Sequence, residues 1–468
     1  MTETPSEPAP AAGGERIQPA GAQSLLARIG LPRRELRAWA MYDWALSALQ
    51  TTVLVAVFPI FFVRVAGADV AESRATQALA AANTLAAVIV ALLSPILGAM
   101  SDVAAAKKRM LLGSMLVGAA ATAGMFFIQR GDLGLASTLF VIALVGATAS
   151  VVFYEALLPH LASPEEIDRV SSAGYAIGYL GGGVLLALNL AWIQRPEWFG
   201  LPSGPELSER AASLPARLAF VSVAVWWLVF SIPLLRRVPE PPRRLEADER
   251  VGQSVFIIPF VRLAETFRQL RGYRQAFLML LAFLVYNDGI QTIIKMATAY
   301  GTEIGIGQSA LIAAILLVQF VGVPFAFLFG LLAGRIGAKQ AVFLGLVVYT
   351  GISIVGYFMT TATHFFILAG LVGMVQGGTQ ALSRSMFATL VPAHKSGEFF
   401  GFYSVFEKFS SILGPLVFAA TIALTGSSRN AILSVILFFA VGAGLLALVN
   451  MEEGRRIARE AERGLRPG

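Results

Sequence analysis

Apolar runs of roughly 20 residues recur along the whole chain, separated by short polar links. Wound as a helix rising about 1.5 Å per residue, such a run crosses a hydrocarbon core about 30 Å thick. The pattern predicts twelve spans, over residues 39–65, 76–100, 110–129, 134–158, 171–193, 216–235, 275–300, 309–333, 341–359, 364–390, 400–424 and 431–450. The seventh and tenth carry internal charges and are the least regular. Long polar links fall at 195–215 and 236–274. In lipid a helix satisfies its own backbone, so the expected fold class is an all-α integral membrane protein.

Composition agrees with that solvent. The chain is 56% hydrophobic and 14% charged, against about 25% charged residues in a soluble domain. The net charge of +7 would suggest a nucleic-acid partner in a soluble protein, but here the basic residues sit in short links and no nucleic-acid motif accompanies them. Most of the 36 Lys and Arg residues fall on the side of the two chain ends. The positive-inside rule then places both termini in the cytoplasm of a multi-pass protein of the cytoplasmic membrane. Residues 1–35 are rich in Pro, Ala and Gly and begin without an apolar core, which reads as a disordered cytosolic arm rather than a signal peptide. There is no Cys, so disulfides and thiolate chemistry are excluded. The three His, His160, His364 and His394, lack metal spacing, and no phosphate-binding loop for ATP occurs. No cofactor and no metal are expected.

The chain divides at the basic segment RRVPEPPRRLEADER. GAMSDVAAAKKRML follows the second span and GLLAGRIGAKQAVF the eighth. Gly98 recurs as Gly330 and Pro159 as Pro392, at offsets that differ by one residue. Duplication of a six-helix unit explains both. The expected organisation is two pseudo-symmetric six-helix bundles, 36–235 and 275–450, joined by a cytosolic loop, 236–274, and followed by a cytosolic tail, 451–468. Repeats of this kind hold the substrate between the halves near the middle of the membrane.

The run G-x-x-x-D-x-x-x-x-K-K-R, from Gly98 through Asp102 to Lys107, Lys108 and Arg109, resembles the signature loop of the major facilitator superfamily. Val103 stands where that loop usually has a base and Ala105 where it has a Gly. The second copy keeps Arg335, Gly337 and Lys339 but has Gly334 in place of the acid. The stretches AWAMYDWALSALQTTVLVAVFPIFF and VQGGTQALSRSMFATLVPAHKSGEFFGFYSVFEKFSSILGPL are similar to the bacterial branch of the autophagy-related vacuole effluxer family. That resemblance covers most of the chain and implies amino-acid efflux. The superfamily likeness implies that the first, fourth, seventh and tenth helices line a central cavity. It also implies that the signature loop latches the inner end, with Gly98 and Gly330 allowing close helix approach. Asp102 is placed to meet a helix N-terminus of the facing half, whose positive end favours an anion. Glu155 is either a charge partner of this inner gate or a group in interfacial water.

A charge at the centre of a span costs about 2.5–3.5 kcal/mol, so it usually faces a cavity or a partner. Four spans carry polar stripes at helical spacing: Asp43, Ser47, Gln50 and Thr51; Asp288, Gln291, Thr292 and Lys295; Gln376, Gln380, Ser383 and Arg384; and Tyr403, Glu407 and Ser410 or Ser411. A zwitterionic amino acid needs a cation for its carboxylate and an acid for its ammonium. Arg384 and Lys295 supply the first, Asp43 and Asp288 the second. A membrane-buried acid is also a natural proton carrier, and Asp288 and Glu407 are the candidates. Structural readings stand beside these: Arg384 and Glu407 as an ion pair, Asp43 as an interfacial solvated acid, Lys295 as a snorkelling base.

The expectation is a secondary transporter, not an enzyme, working as a monomer by alternating access. Its partners are a small-molecule substrate, a proton or other coupling ion, and membrane lipids, without nucleic acid. The rivals are a lipid or lysolipid translocator of the same fold and a carrier of another small metabolite or drug. A membrane-embedded enzyme would need a nucleophile–base pair or metal cluster, and a sensor would need an output domain; the sequence carries neither signal.

Overall fold

A computed structural model describes residues 25–204, 206–245, 272–463 and 465–467. Most of the expected N-terminal arm and of the central loop lies outside the described residues. Among those described, twelve helices are long and apolar enough to cross a membrane. They are α1 (Arg34–Ala66), α2 (Glu72–Val103), α3 (Lys107–Phe127), α4 (Leu133–Leu161), α5 (Ile167–Gln194), α6 (Leu214–Arg237), α7 (Arg274–Glu303), α8 (Ala310–Ile336), α9 (Ala338–Tyr357), α10 (Ala362–Leu390), α11 (Ala393–Thr425) and α12 (Ser428–Leu448). Twelve crossings return the chain to the side on which it started, called here the terminal end.

Eleven of these helices start within about a turn of where the apolar pattern places them; α11 starts two turns early. Its first residues are polar, yet Lys395, Ser396 and Glu398 are buried between helices. A hydropathy pattern cannot distinguish such a segment from a loop. The same span also breaks after Phe409 and restarts at Leu413, giving α11a (Ser396–Phe409) and α11b (Leu413–Thr425). A second irregularity lies in α1, which widens into π-helix over Leu49–Val57. There Thr51 Oγ1 donates to the Gly182 carbonyl of α5 at 3.1 Å. Large apolar side chains such as Leu92, Val347, Leu424 and Leu448 point outward, as lipid-facing positions do. Inside, aromatic rings fill the space between helices: Trp39 stacks on Tyr154 with centroids 4.5 Å apart, and Phe58 on Phe140 at 4.9 Å.

The two halves meet along α2 with α11 and α5 with α8. The sequence repeat exchanges these crossings, since α8 repeats α2 and α11 repeats α5. Both depend on missing side chains. A Cβ on Gly98 would lie 2.0 Å from the Gly397 carbonyl oxygen, and one on Gly330 would lie 2.7 Å from Ser172 Cβ. Without a Cβ the backbones approach to full van der Waals contact, which is where helix association in lipid gains its energy.

The tail forms a further helix, α13 (Met451–Glu462), capped by Asn450, whose Oδ1 accepts from the Glu453 amide at 3.0 Å. It docks across the terminal end. Glu462 accepts from the Ala393 amide at 2.7 Å, Glu453 from Gln275 at 2.6 Å, and Arg455 donates to Thr389 at 3.3 Å. Beyond it, Arg466–Pro467 pairs antiparallel with Arg244–Leu245, just past α6. In the link between α4 and α5, Glu165 has its carboxyl held below the ordinary value. Ser163 is the main cause, followed by its own backbone amide, with the fields of Arg455 and Arg459 adding to them.

Gly98→Ala is expected to spread the terminal end. Single-cysteine reporters on α2 and α11, clean because the chain has no Cys of its own, should become more reactive there. Gly113→Ala, with no atom within 4 Å of the added carbon, should leave them unchanged. Equal reactivity in both variants would remove the packing argument.

Candidate functional site

Arg384 is the most deeply buried cation of the site, 1% exposed on α10. Water cannot answer its charge, so protein groups must. Its Nε donates to Ser171 Oγ at 2.9 Å and its Nη2 to the Ser171 carbonyl at 3.0 Å. Nη2 also stands 3.4 Å from Asp43 Oδ2 on α1, and Nη1 3.9 Å from Glu155 Oε1 on α4. The planar guanidinium is boxed by rings, with Cζ 4.5 Å from the Tyr175 centroid and 5.0 Å from that of Trp39. Such cation–π contacts gain strength where water is excluded. Asp43 takes a further hydrogen bond from the Tyr154 hydroxyl at 2.7 Å. One side chain of the second half is thus gripped by three helices of the first. Gly174 makes the room: a Cβ there would lie 2.4 Å from Asp43 Oδ2 and 3.1 Å from Arg384 Nη2.

Nearer the terminal end is a second contact between the halves. Asp102 accepts from the amides of Gly397 at 3.1 Å and Glu398 at 2.9 Å, the first turn of α11a. Lys107 forms an ion pair with the same carboxylate. An acid at a helix N-terminus meets unpaired amides and the positive end of the helix dipole together. Two further bonds flank it across the join: Ser396 Oγ donates to the Ala156 carbonyl at 2.8 Å, and Ser385 Oγ to Asp168 at 2.5 Å. The Lys108 amide is held at 2.9 Å by Glu240, which follows α6.

The remaining expected site residues are not gathered here. Asp288, 1% exposed, accepts from the Gly414 amide at 2.8 Å and so caps α11b within its own half. Lys295 is exposed, with Nζ 3.4 Å from the Ser411 carbonyl at the same break. Among the described residues no hydrogen bond or ion pair joins Asp288 or Lys295 to Arg384. The expected partnership of Arg384 with Glu407 is not formed either. Asp43 and Glu155 take that place, while Glu407 is half-buried on α11a. Gln50 is exposed in the π-helical stretch, and Gln291 and Gln380 are half-buried. In the second copy of the signature loop Arg335 is exposed and Lys339 donates to the carbonyls of Ala447 and Val449, at 2.9 and 2.8 Å. Lacking the acid, that copy ties α9 to the end of α12 and does not cross to the first half. Trp39, Tyr154, Ser171, Gly174 and Tyr175 were not anticipated. Ser171, Gly174 and Tyr175 were signalled only as small and aromatic residues at helical spacing on α5, and Trp39 and Tyr154 only as aromatic residues on α1 and α4.

The profile of a family described as "Vacuole effluxer Atg22 like" matches residues 62–459. The chain belongs to the Atg22-like vacuole effluxer family. Within it, the chain is 37% identical over 428 residues to the "Uncharacterized MFS-type transporter YxiO" of Bacillus subtilis (strain 168), covering 91% of this chain and 97% of that protein. It is 27% identical over 323 residues to Autophagy-related protein 22 of Yarrowia lipolytica, covering 63% of this chain and 52% of that protein. The chain spans about half the length of such fungal relatives. In fold it is similar to the proton:xylose symporter XylE, with a TM-score of 0.68 at 13% identity over 92% of this chain and 98% of the other. It is likewise similar to the human organic anion transporter MFSD10, with a TM-score of 0.64 at 16% identity over 89% and 99%. The major facilitator fold and the secondary-transporter class read from the sequence are therefore established, and with them a non-enzymatic, multi-pass membrane protein.

Arg384→Gln would leave Asp43 without its buried cation and is expected to cost about 3–5 kcal/mol of stability, the usual result of breaking a buried pair from one side. Adding Asp43→Asn should restore part of the lost unfolding midpoint. A single variant as stable as the parent would mean that the cluster is not a buried ion network.

Proposed function

We propose that this effluxer-family carrier exports an amino acid across the cytoplasmic membrane by alternating access, with both termini cytoplasmic and an inward proton gradient as the driving force. The observation that carries the reading is the Asp43–Arg384–Glu155 cluster, which spans the two halves within the membrane. A purely structural carrier frame gains little from burying three charges that a well-packed apolar contact could replace. Charges that must separate and rejoin are different. They give two arrangements of similar energy, and an ion or a solute with its own charge can bias the balance between them.

Asp102 at the N-terminus of α11a, and the glycine crossing at Gly98, belong to the same reading. Both lie at the terminal end and both unite the halves. They would form the inner gate of an outward-open state and would have to part for solute to enter from the cytoplasm. Substrate chemistry follows from the residue types. A guanidinium offers two parallel donors to a carboxylate, and a neighbouring acid answers an ammonium. The description of the family as an effluxer supports export as the direction.

The test is flux in proteoliposomes loaded with labelled amino acids, with an imposed pH gradient. Release of at least one amino acid should accelerate with the gradient, collapse when a protonophore dissipates it, and fall to the level of empty liposomes in Arg384→Ala. Flux of no amino acid above that level, with a phospholipid moved instead, would replace the solute-carrier reading by the lipid one.

A further inference from the structure

The three charges of the cluster do not balance. One guanidinium stands between two carboxylates, and the side chains of Arg384, Asp43 and Glu155 are 2%, 17% and 5% exposed. An ionised carboxylate removed from water needs a full partner, and without one it takes up a proton. The two acids are not equally placed to do so. Asp43 Oδ2 accepts from Tyr154 at 2.7 Å and lies 3.4 Å from Arg384, and Asp43 is the more exposed. It is therefore served as an anion. Glu155 Oε1 lies 3.9 Å from the guanidinium, beyond hydrogen-bond range, and its Oε2 is buried with no hydrogen-bond partner.

The wider surroundings point the same way. Glu155 is faced by Asp43 from α1, by Arg384 from α10, and by Glu407 and Lys408 from α11. The phenols of Tyr154 on α4, Tyr175 on α5 and Tyr403 on α11 also face it. Two acids and two bases cancel, so an ionised Glu155 would be a surplus negative charge in the middle of the join.

We infer that the cluster is a proton-binding site and that Glu155 is the residue that holds the proton while the terminal end is closed. The inference rests on the transport reading above and names its coupling residue, in place of the Asp288 and Glu407 that the sequence suggested. In the step, a hydronium ion delivers its proton to the Glu155 carboxylate, leaving water and a neutral carboxylic acid. When the halves part at the terminal end, Arg384 withdraws with α10 and water reaches α4. Glu155 then returns the proton to water and ionises in a hydrated site. Proton entry from one side and release to the other thereby accompany each closing and opening of the gate.

The test is infrared spectroscopy of the full chain in lipid films at neutral pH. A protonated-carboxyl stretching band should be present in the parent, absent in Glu155→Gln, and shifted when the protein is grown with carboxyl-13C glutamate. Glutamine copies the neutral acid in shape, and a normal thermal midpoint confirms that the variant is folded. The assignment is overturned if Glu155→Gln removes no band. It is equally overturned if the band that it removes does not move with labelled glutamate, because the proton then sits on Asp43. Transport is judged separately. Parental flux that ignores the pH gradient would defeat the coupled-export reading, while the spectra still decide where the proton resides.

Discussion

A guanidinium buried in a membrane-spanning helix has no water to fall back on, and the groups around it at the join between the two halves are arranged to meet that fact. Arg384 is met by the side chain and the carbonyl of Ser171, by Asp43 and by the rings of Trp39 and Tyr175. Those partners come from α1 and α5 of the opposite half, with Glu155 of α4 close by. A charge held this way is expensive to strand. The halves can therefore separate there only if something else answers both signs of charge: water or an anionic group for the guanidinium, and water or a proton for the carboxylates.

The other links at the terminal end use different physics for the same purpose. At the crossings of α2 with α11 and of α5 with α8, packing acts through Gly98, Gly397 and Gly330. At Asp102, the amides and dipole of α11a act on an acid. α11 begins twice, and both starts rest on a carboxylate from elsewhere, Asp102 for α11a and Asp288 for α11b. Only the first of these crosses the join. The Asp102 contact is thus able to open and close with the halves, whereas Asp288 holds a broken helix together within one of them. The difference separates a gate from a support, although both residues are buried acids.

How much of this could be read from the sequence depended on range. The twelve spans are local patterns, and so is the signature loop; Gly98 and Gly330 stood out because a repeat copies short motifs in order, and Asp102 because it sits in the signature motif. A polar stripe likewise fixes which face of a helix carries Asp43 or Arg384. It says nothing about which helix that face meets, and the partners of Arg384 lie 341 residues away on α1 and on other helices of the first half. Hence Arg384 was matched with Glu407, one span along, when its guanidinium lies against Asp43 and Glu155. The sequence offers Asp288 as an acid for a substrate ammonium or a proton, and in the structure it accepts from a backbone amide. That amide is Gly414's, a partner that no charge pattern can reveal, because it is left open only where α11 breaks.

The central claim, that the charge of Arg384 holds the two halves together at the terminal end, is open to one direct measurement. Spin labels on cysteines introduced at Ala104 and Gly334, exposed positions in the two copies of the signature loop, report the separation of the halves by double electron–electron resonance. The parent should give a dominant short distance, and Arg384→Gln should add a longer population at the expense of the short one. An identical distance distribution in the two proteins would contradict the account.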